Sequence, residues 1–264
     1  MPKYGYIESP KDLRDYTISK VAKAVELPAT FVLTKLPMVK NQGLVSSCVA
    51  HAVSSVLEAY DNVNYSTGWI YGYRPLNYYQ GEGMITSQAL KTINKVGYVN
   101  NNFFNHNVEV PKGKELVDKN IDTLRPEANK KKIKSYARLH GEQEIKTALY
   151  QTKQPVLVAI LVGSDGLRLK NNVAIVPQQF GGGHQLVCYG WNEQGFLIQN
   201  SWGSNWGNKG RFILPYDYPI RESWAITIEG NEPEQNDIIV KPVGFMVRRI
   251  VMAIYKVIKK LFNL

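Results

Sequence analysis

Three side chains stand in an order and at separations that suit nucleophilic catalysis: Cys48, His184 and Asn200, the last two lying 136 and 152 residues beyond the first. A thiol attacks only as a thiolate, so its pKa must be lowered. A helix N-terminus and a nearby imidazolium both do this. Cys48 follows Ser46 and Ser47, which are good helix-start residues, and opens a run to Tyr60 whose only charge is Glu58. That pattern predicts a helix buried on most sides. His184 ends the segment Gly181-Gly182-Gly183-His184, just before a strand candidate at Gln185–Tyr189. Small residues there allow another chain or a substrate to approach closely. Asn200 follows a strand candidate at Gly195–Gln199, and its carboxamide could orient the imidazole.

Taken singly, each residue has a plainer reading: a cysteine as a small buried hydrophobe, a histidine at a strand end, an asparagine in a turn. Together with Val39-Lys40-Asn41-Gln42-Gly43 and Asn200-Ser201-Trp202-Gly203-Ser204-Asn205-Trp206-Gly207 they resemble the papain-like cysteine peptidases. Four separated segments agree in order and spacing. The resemblance implies an α+β fold with a helical left part, an antiparallel β-rich right part and an active-site cleft between them. It implies a Cys48–His184–Asn200 catalytic set acting through a thioester. It assigns Gln42, six residues before Cys48, to the oxyanion hole with the Cys48 N–H, and Trp202 to shielding the histidine–asparagine bond. Gly183 and Gly83 would line the substrate cleft, Gly83 through the weak echo Gly81-Glu82-Gly83 of a substrate-binding strip. The implied partner is a protein or peptide substrate, with no cofactor and no metal. Two departures stand out: Val45 where the family usually has a disulfide cysteine, and Val49 where it usually has an aromatic. The long inhibitory propeptide of many relatives has no counterpart before Gln42, so control is external or falls to the short arm.

The elements that must position these groups are unevenly legible. The first half leans helical, with helices expected at Ser87–Val96 and Glu142–Gln151, while residues 111–139 are lysine-rich and hard to assign. Val156–Val162 is a continuous apolar run of strand type, and Arg211–Leu214 and Ala225–Glu229 are further short strands between Gly-rich turns. This is α+β patterning whose halves could pack face to face around a cleft. Four units follow: an arm at 1–30 lying extended on the body, a peptidase domain at 31–230, a polar linker at 231–242 and a basic amphipathic helix at 243–264.

The 264 residues carry 32 Lys+Arg against 22 Asp+Glu, a net charge of +10. Lys241, Arg248, Arg249, Lys256, Lys259 and Lys260, with no acid among them, supply six of those ten charges. The tail is expected to lie on an anionic membrane surface or a partner protein. A nucleic-acid partner is disfavoured, since no zinc-finger, helix-turn-helix or RNA-binding motif accompanies the Lys130–Lys134 cluster. Two cysteines exclude a disulfide-stapled scaffold, and the polar start lacks a signal peptide's apolar stretch, so a cytoplasmic setting, peripheral on a membrane, is expected. Cys188 reads as core, His51 as packed, and His106 and His140 as lacking metal-ligand spacing. Two other functions remain open at this level: acyl transfer (a transpeptidase or amidase) on the same groups, or a catalytically silent module binding through the tail.

Overall fold

The computed structural model of the chain describes residues 3–12, 25–75, 79 and 81–228. The linker at 231–242 and the amphipathic helix at 243–264 lie outside the described residues. The elements run β1 (Tyr6–Ile7), β2 (Phe31–Val32), α1 (Cys48–Asp61), α2 (Thr67–Gly72), β3 (Met84–Ile85), α3 (Thr86–Lys95), α4 (Lys112–Lys119), α5 (Ile121–Asn129) and β4 (Ile133–Leu139). They continue with α6 (Gly141–Thr152), β5 (Val156–Gly163), β6 (Leu169–Lys170), β7 (Val173–Ala174), β8 (Phe180–Asn192), β9 (Gly195–Gln199), β10 (Arg211–Leu214) and β11 (Ile220–Ile228). The large sheet is ordered β4-β11-β5-β8-β9-β10-β7-β6, with β2 also on β8, and β1 pairs β3 in parallel as a separate two-stranded sheet.

Strand β5 explains the two-part build. Its register sets Leu157 opposite Val187 and Val158 opposite Leu186. Leu157, Ala159 and Val187 face one core with Cys48, Val49, Val53 and Trp69, while Val156, Val158, Ile160, Leu186 and Cys188 face a second with Ile145 and Leu149 of α6. Successive strand side chains alternate faces, and both faces here are covered, so β5 reads as an uninterrupted apolar run. The result is the α+β arrangement with α1 packed on one face of the sheet.

Helix α1 is buried from Cys48 through Glu58 and ends at Asn62 in the left-handed conformation, with the Asn62 N–H on the Glu58 carbonyl. Its one internal charge is paired: Lys40 Nζ lies 2.7 Å from one Glu58 oxygen, and the Met38 N–H donates to the other at 3.0 Å. Lys40 also reaches Asn64 Oδ1 at 2.6 Å.

Several sequence expectations change. The Gly-rich stretch before His184 is strand rather than turn: Gly182 and Gly183 pair with Val162 and Leu161, so β8 begins at Phe180. Strand β11 starts at Ile220, earlier than the expected Ala225, because it is paired on both sides, by β4 and β5. The lysine-rich stretch folds into α4, α5 and β4, anchored by buried Val117, Leu124, Ala128 and Ile133. Helix α2 was not expected; Ser66 caps it by accepting the Trp69 N–H at 2.9 Å. Ser47 flanks α1 without capping it, because its hydroxyl donates to Asn107 Oδ1.

Removing one partner of a buried ion pair strands the other. Glu58→Ala should therefore lower unfolding free energy by about 3–5 kcal/mol in urea melts, and Glu58→Gln by less. A loss below about 1 kcal/mol for the alanine variant would refute this account of the Lys40–Glu58 tie.

Candidate active site

The nucleophile candidate is the first residue of α1, at the end where unpaired N–H groups concentrate partial positive charge. Contacts between α1 and β8 bring Cys48 beside the His184–Gln185 segment: its sulfur is within reach of the main-chain groups of Gln185, Gly5, Val49 and Cys48 itself. His184 Nε2 lies 2.8 Å from Asn200 Oδ1. That oxygen also accepts the Ser201 N–H at 2.8 Å, which identifies it as the carboxamide oxygen. The ring must then carry its proton on Nε2, leaving the Nδ1 lone pair free. Trp202 stacks on the imidazole, with ring centroids 4.8 Å apart and planes 24° from parallel, and Trp206 meets Trp202 edge-on.

Gln42 belongs to the seam between the halves. Its N–H donates to the Ser201 carbonyl at 2.8 Å, beside an Asn41–Trp202 bridge. Its side-chain oxygen accepts from Ser201 Oγ at 2.7 Å. Its amide nitrogen donates to the Val45 carbonyl at 2.8 Å and to the Lys3 carbonyl at 3.0 Å. Ser201 was not singled out from the sequence, although it lies next to Asn200.

The Lys3 contact shows what fills the cleft. The arm runs from Lys3 on Gln42, past Gly5, whose carbonyl accepts the Met84 N–H at 2.7 Å, into β1 alongside β3. Tyr4 sets its ring 6.0 Å from that of His184 and 6.1 Å from that of Trp202. Tyr6 is buried against Gly183, where an added Cβ would lie 2.4 Å from Tyr6 Cδ1. Gly5 presses on the nucleophile loop: a Cβ there would sit 1.8 Å from the Ser46 carbonyl oxygen. Ion pairs Lys3–Glu82 at 3.1 Å and Arg221–Glu8 at 2.8 Å tie the arm down. Residues 3–12, the described N-terminal part of the expected arm, thus run through the site.

This seating bears on the charge state of the pair. Cys48 and His184 are each 0% exposed. Burial pushes the Cys48 thiol up to about 11, against the pull of main-chain hydrogen bonds from Gln185 and Gly5. Burial likewise lowers His184 to about 4, with the Asn200 bond opposing it. His184 Nδ1 is buried with no hydrogen-bond partner. Both shifts favour the neutral pair over the expected thiolate–imidazolium, because a dry site disfavours charge. Gly83 departs in detail as well. Its N–H donates to the Tyr71 hydroxyl and its carbonyl accepts from Arg74, so the neighbouring Met84 is what bonds the extended segment.

The family profile "Papain family cysteine protease" matches residues 33–219. The chain belongs to the papain family of cysteine proteases, hydrolases of the cysteine-peptidase type. An uncharacterized peptidase C1-like protein of Acanthamoeba polyphaga mimivirus is 27% identical over 84% of each chain. Among solved structures, xylellain, a cysteine protease from Xylella fastidiosa, superposes with a TM-score of 0.70 at 23% identity, over 85% of this chain and 96% of that one. The bromelain protease from Ananas comosus gives 0.54 at 17% identity, over 77% and 100% respectively. These likenesses carry the fold.

His51 shares the burial of His184 and is also lowered to about 4. The unfolded chain takes up these protons near pH 6.5, whereas the folded chain refuses them until about pH 4. Stability should therefore fall with falling pH across that window, by about 1.4 kcal/mol per pH unit for each ring. Glu222, raised by burial, acts in the opposite direction, one group against two. Urea midpoints measured from pH 7 to 4.5 should decline, and a flat profile would contradict the neutral buried rings.

Proposed function

We propose that this chain hydrolyses peptide bonds with Cys48 as nucleophile, His184 as proton carrier, Asn200 as orienting group and Gln42 as oxyanion donor, once the arm has left the cleft. The observation that carries the reading is the 2.8 Å hydrogen bond between His184 Nε2 and Asn200 Oδ1, which favours the Nε2–H tautomer. That tautomer leaves Nδ1 free to act as a base, and the packing of α1 on β8 brings Cys48 beside the His184–Gln185 segment. With water admitted, the penalty on charge falls, and proton transfer from sulfur to Nδ1 gives the ion pair. Sulfur then attacks the scissile carbonyl, and the developing oxyanion takes the Gln42 amide N–H that now holds the Lys3 carbonyl. His184 returns the proton to the leaving amine. Water attacks the thioester and its proton passes to His184, restoring the thiol. Trp202 keeps the His184–Asn200 bond dry throughout, which preserves the ring's orientation.

Cys48→Ala should abolish cleavage of a denatured protein substrate without altering the fold. Gln42→Ala should lower kcat by about 10²–10³-fold with a smaller effect on KM, as for other oxyanion donors. Full activity in Cys48→Ala would exclude the mechanism. Products formed with an added amine separate hydrolysis from acyl transfer.

Arm release has its own test. Gly5→Ala places a methyl group where the Ser46 carbonyl stands and leaves the catalytic groups untouched. Alkylation of Cys48 by iodoacetamide should accelerate at least about ten-fold, while Cys188, buried in the far core, stays slow. An unchanged Cys48 rate would show that the arm is not the gate.

A further inference from the structure

Resting on the peptidase reading, we infer that Glu82 and Glu109 form a cation-binding subsite that selects lysine or arginine at the residue whose carbonyl is attacked. Lys3 shows the geometry. One residue gives its carbonyl to Gln42 Nε2 at 3.0 Å and its ammonium to both acids, 3.1 Å from Glu82 and 3.5 Å from Glu109. Carbonyl and side chain of the same residue thus meet the oxyanion donor and an anionic pair together.

The acids are held by groups outside the arm. Glu109 Oε1 accepts the Ser46 N–H at 2.6 Å, two residues before the nucleophile, and Oε2 accepts the Tyr71 hydroxyl at 2.7 Å. That hydroxyl in turn accepts the Gly83 N–H at 3.1 Å. Arg74 fixes the loop that carries Glu82 by donating to the carbonyls of Tyr79, Gly81 and Gly83. Ser46 Oγ also approaches Glu82 at 3.4 Å. The Glu109 carboxylate and the main chain that carries Glu82 are therefore held without the arm, beside the nucleophile loop, and lose their ammonium partner when it leaves. A substrate lysine or arginine would restore the pair, a neutral chain of equal length would not, and an acidic one would be repelled. Glu109 is the stronger anchor, since it is the better shielded of the two from solvent.

The test uses the full chain carrying Lys3→Ala and Gly5→Ala, the first vacating the acids and the second lifting the arm from the cleft. Matched fluorogenic peptides differ only before the scissile bond: lysine, arginine, norleucine or glutamate. Lysine and arginine should exceed norleucine in kcat/KM by about ten-fold, with glutamate lowest. Glu82→Gln and Glu109→Gln should each cut that preference several-fold, and Glu82→Lys, at an exposed position that does not threaten the fold, should raise glutamate above lysine. Equal rates for lysine and norleucine, or a preference that survives both glutamine substitutions, would overturn the subsite while leaving the peptidase reading intact. If no peptide is cleaved although iodoacetamide labelling of Cys48 shows the arm released, the peptidase reading fails. The subsite is then read by fluorescence anisotropy of labelled lysine and norleucine peptides on the full chain carrying Cys48→Ala, Lys3→Ala and Gly5→Ala, where equal affinities overturn it.

Discussion

The Gln42 carboxamide is the contact on which the state of the site depends. Ser201 Oγ holds its oxygen, so the amide cannot flip, and the Val45 carbonyl takes one of its two N–H groups. The second points into the cleft and must find an acceptor. A buried donor left empty costs about 1–3 kcal/mol. In the closed protein the Lys3 carbonyl supplies that acceptor. A substrate carbonyl, and then its oxyanion, would supply it in the open one. On the proposed mechanism the arm and the substrate would compete for a single hydrogen, and the charge developing in the transition state would let the substrate use it more strongly.

On the proposed mechanism, closure and inactivity would be the same event. A thiolate facing an imidazolium needs either water or fixed dipoles around it. The α1 terminus and the Gln185 and Gly5 main chain contribute dipoles, yet with Cys48 and His184 wholly buried these do not overcome desolvation. Tyr4 and Tyr6 supply the apolar cover, one over the imidazole and tryptophan, the other on Gly183. Withdrawal of a few arm residues would admit substrate and also let the ion pair form. No rearrangement of the two cores is required, because Gln42, Ser201, His184 and Asn200 are already interlocked.

What the sequence disclosed follows a physical pattern. Strands β9 and β10 lie where expected, since glycine breaks frame short apolar runs. Cys48, His184, Asn200 and Gln42 were legible because they sit on or beside elements with clear local signals, and because their spacing resembles a family. Gly181 to Gly183 misled: glycine signals a turn locally, but here its lack of a side chain serves the close passage of Tyr4 and Tyr6 over a strand. Helices α4 and α5 were obscured by their exposed lysines and by Pro126 inside α5, with only a few buried residues holding each. Glu82 and Glu109 were invisible as a pair, since 27 residues and two elements separate them and only the tertiary fold joins them through Tyr71 and Ser46. Nothing periodic marks Tyr4-Gly5-Tyr6, although a glycine between two aromatics is what a tight, apolar passage needs.

Val45 stands where the family usually has a disulfide cysteine, and both cysteines of this chain are free. A polar clamp holds the nucleophile loop instead. The Val45 carbonyl accepts from Gln42, the Ser46 N–H donates to Glu109, Ser47 Oγ donates to Asn107, and Asn107 Nδ2 returns to the Gln42 carbonyl at 2.9 Å. Segment 107–109 thus grips residues 42–47 from one side while Ser201 grips Gln42 from the other. A covalent bridge acts mainly on the unfolded chain, whereas this clamp acts on the folded loop itself and fixes where the oxyanion donor and the α1 terminus point. It also explains why Glu109 is positioned with no help from the arm: the same carboxylate that replaces part of the missing bridge faces the cleft, so the loop's stability and its affinity for a cation share one residue.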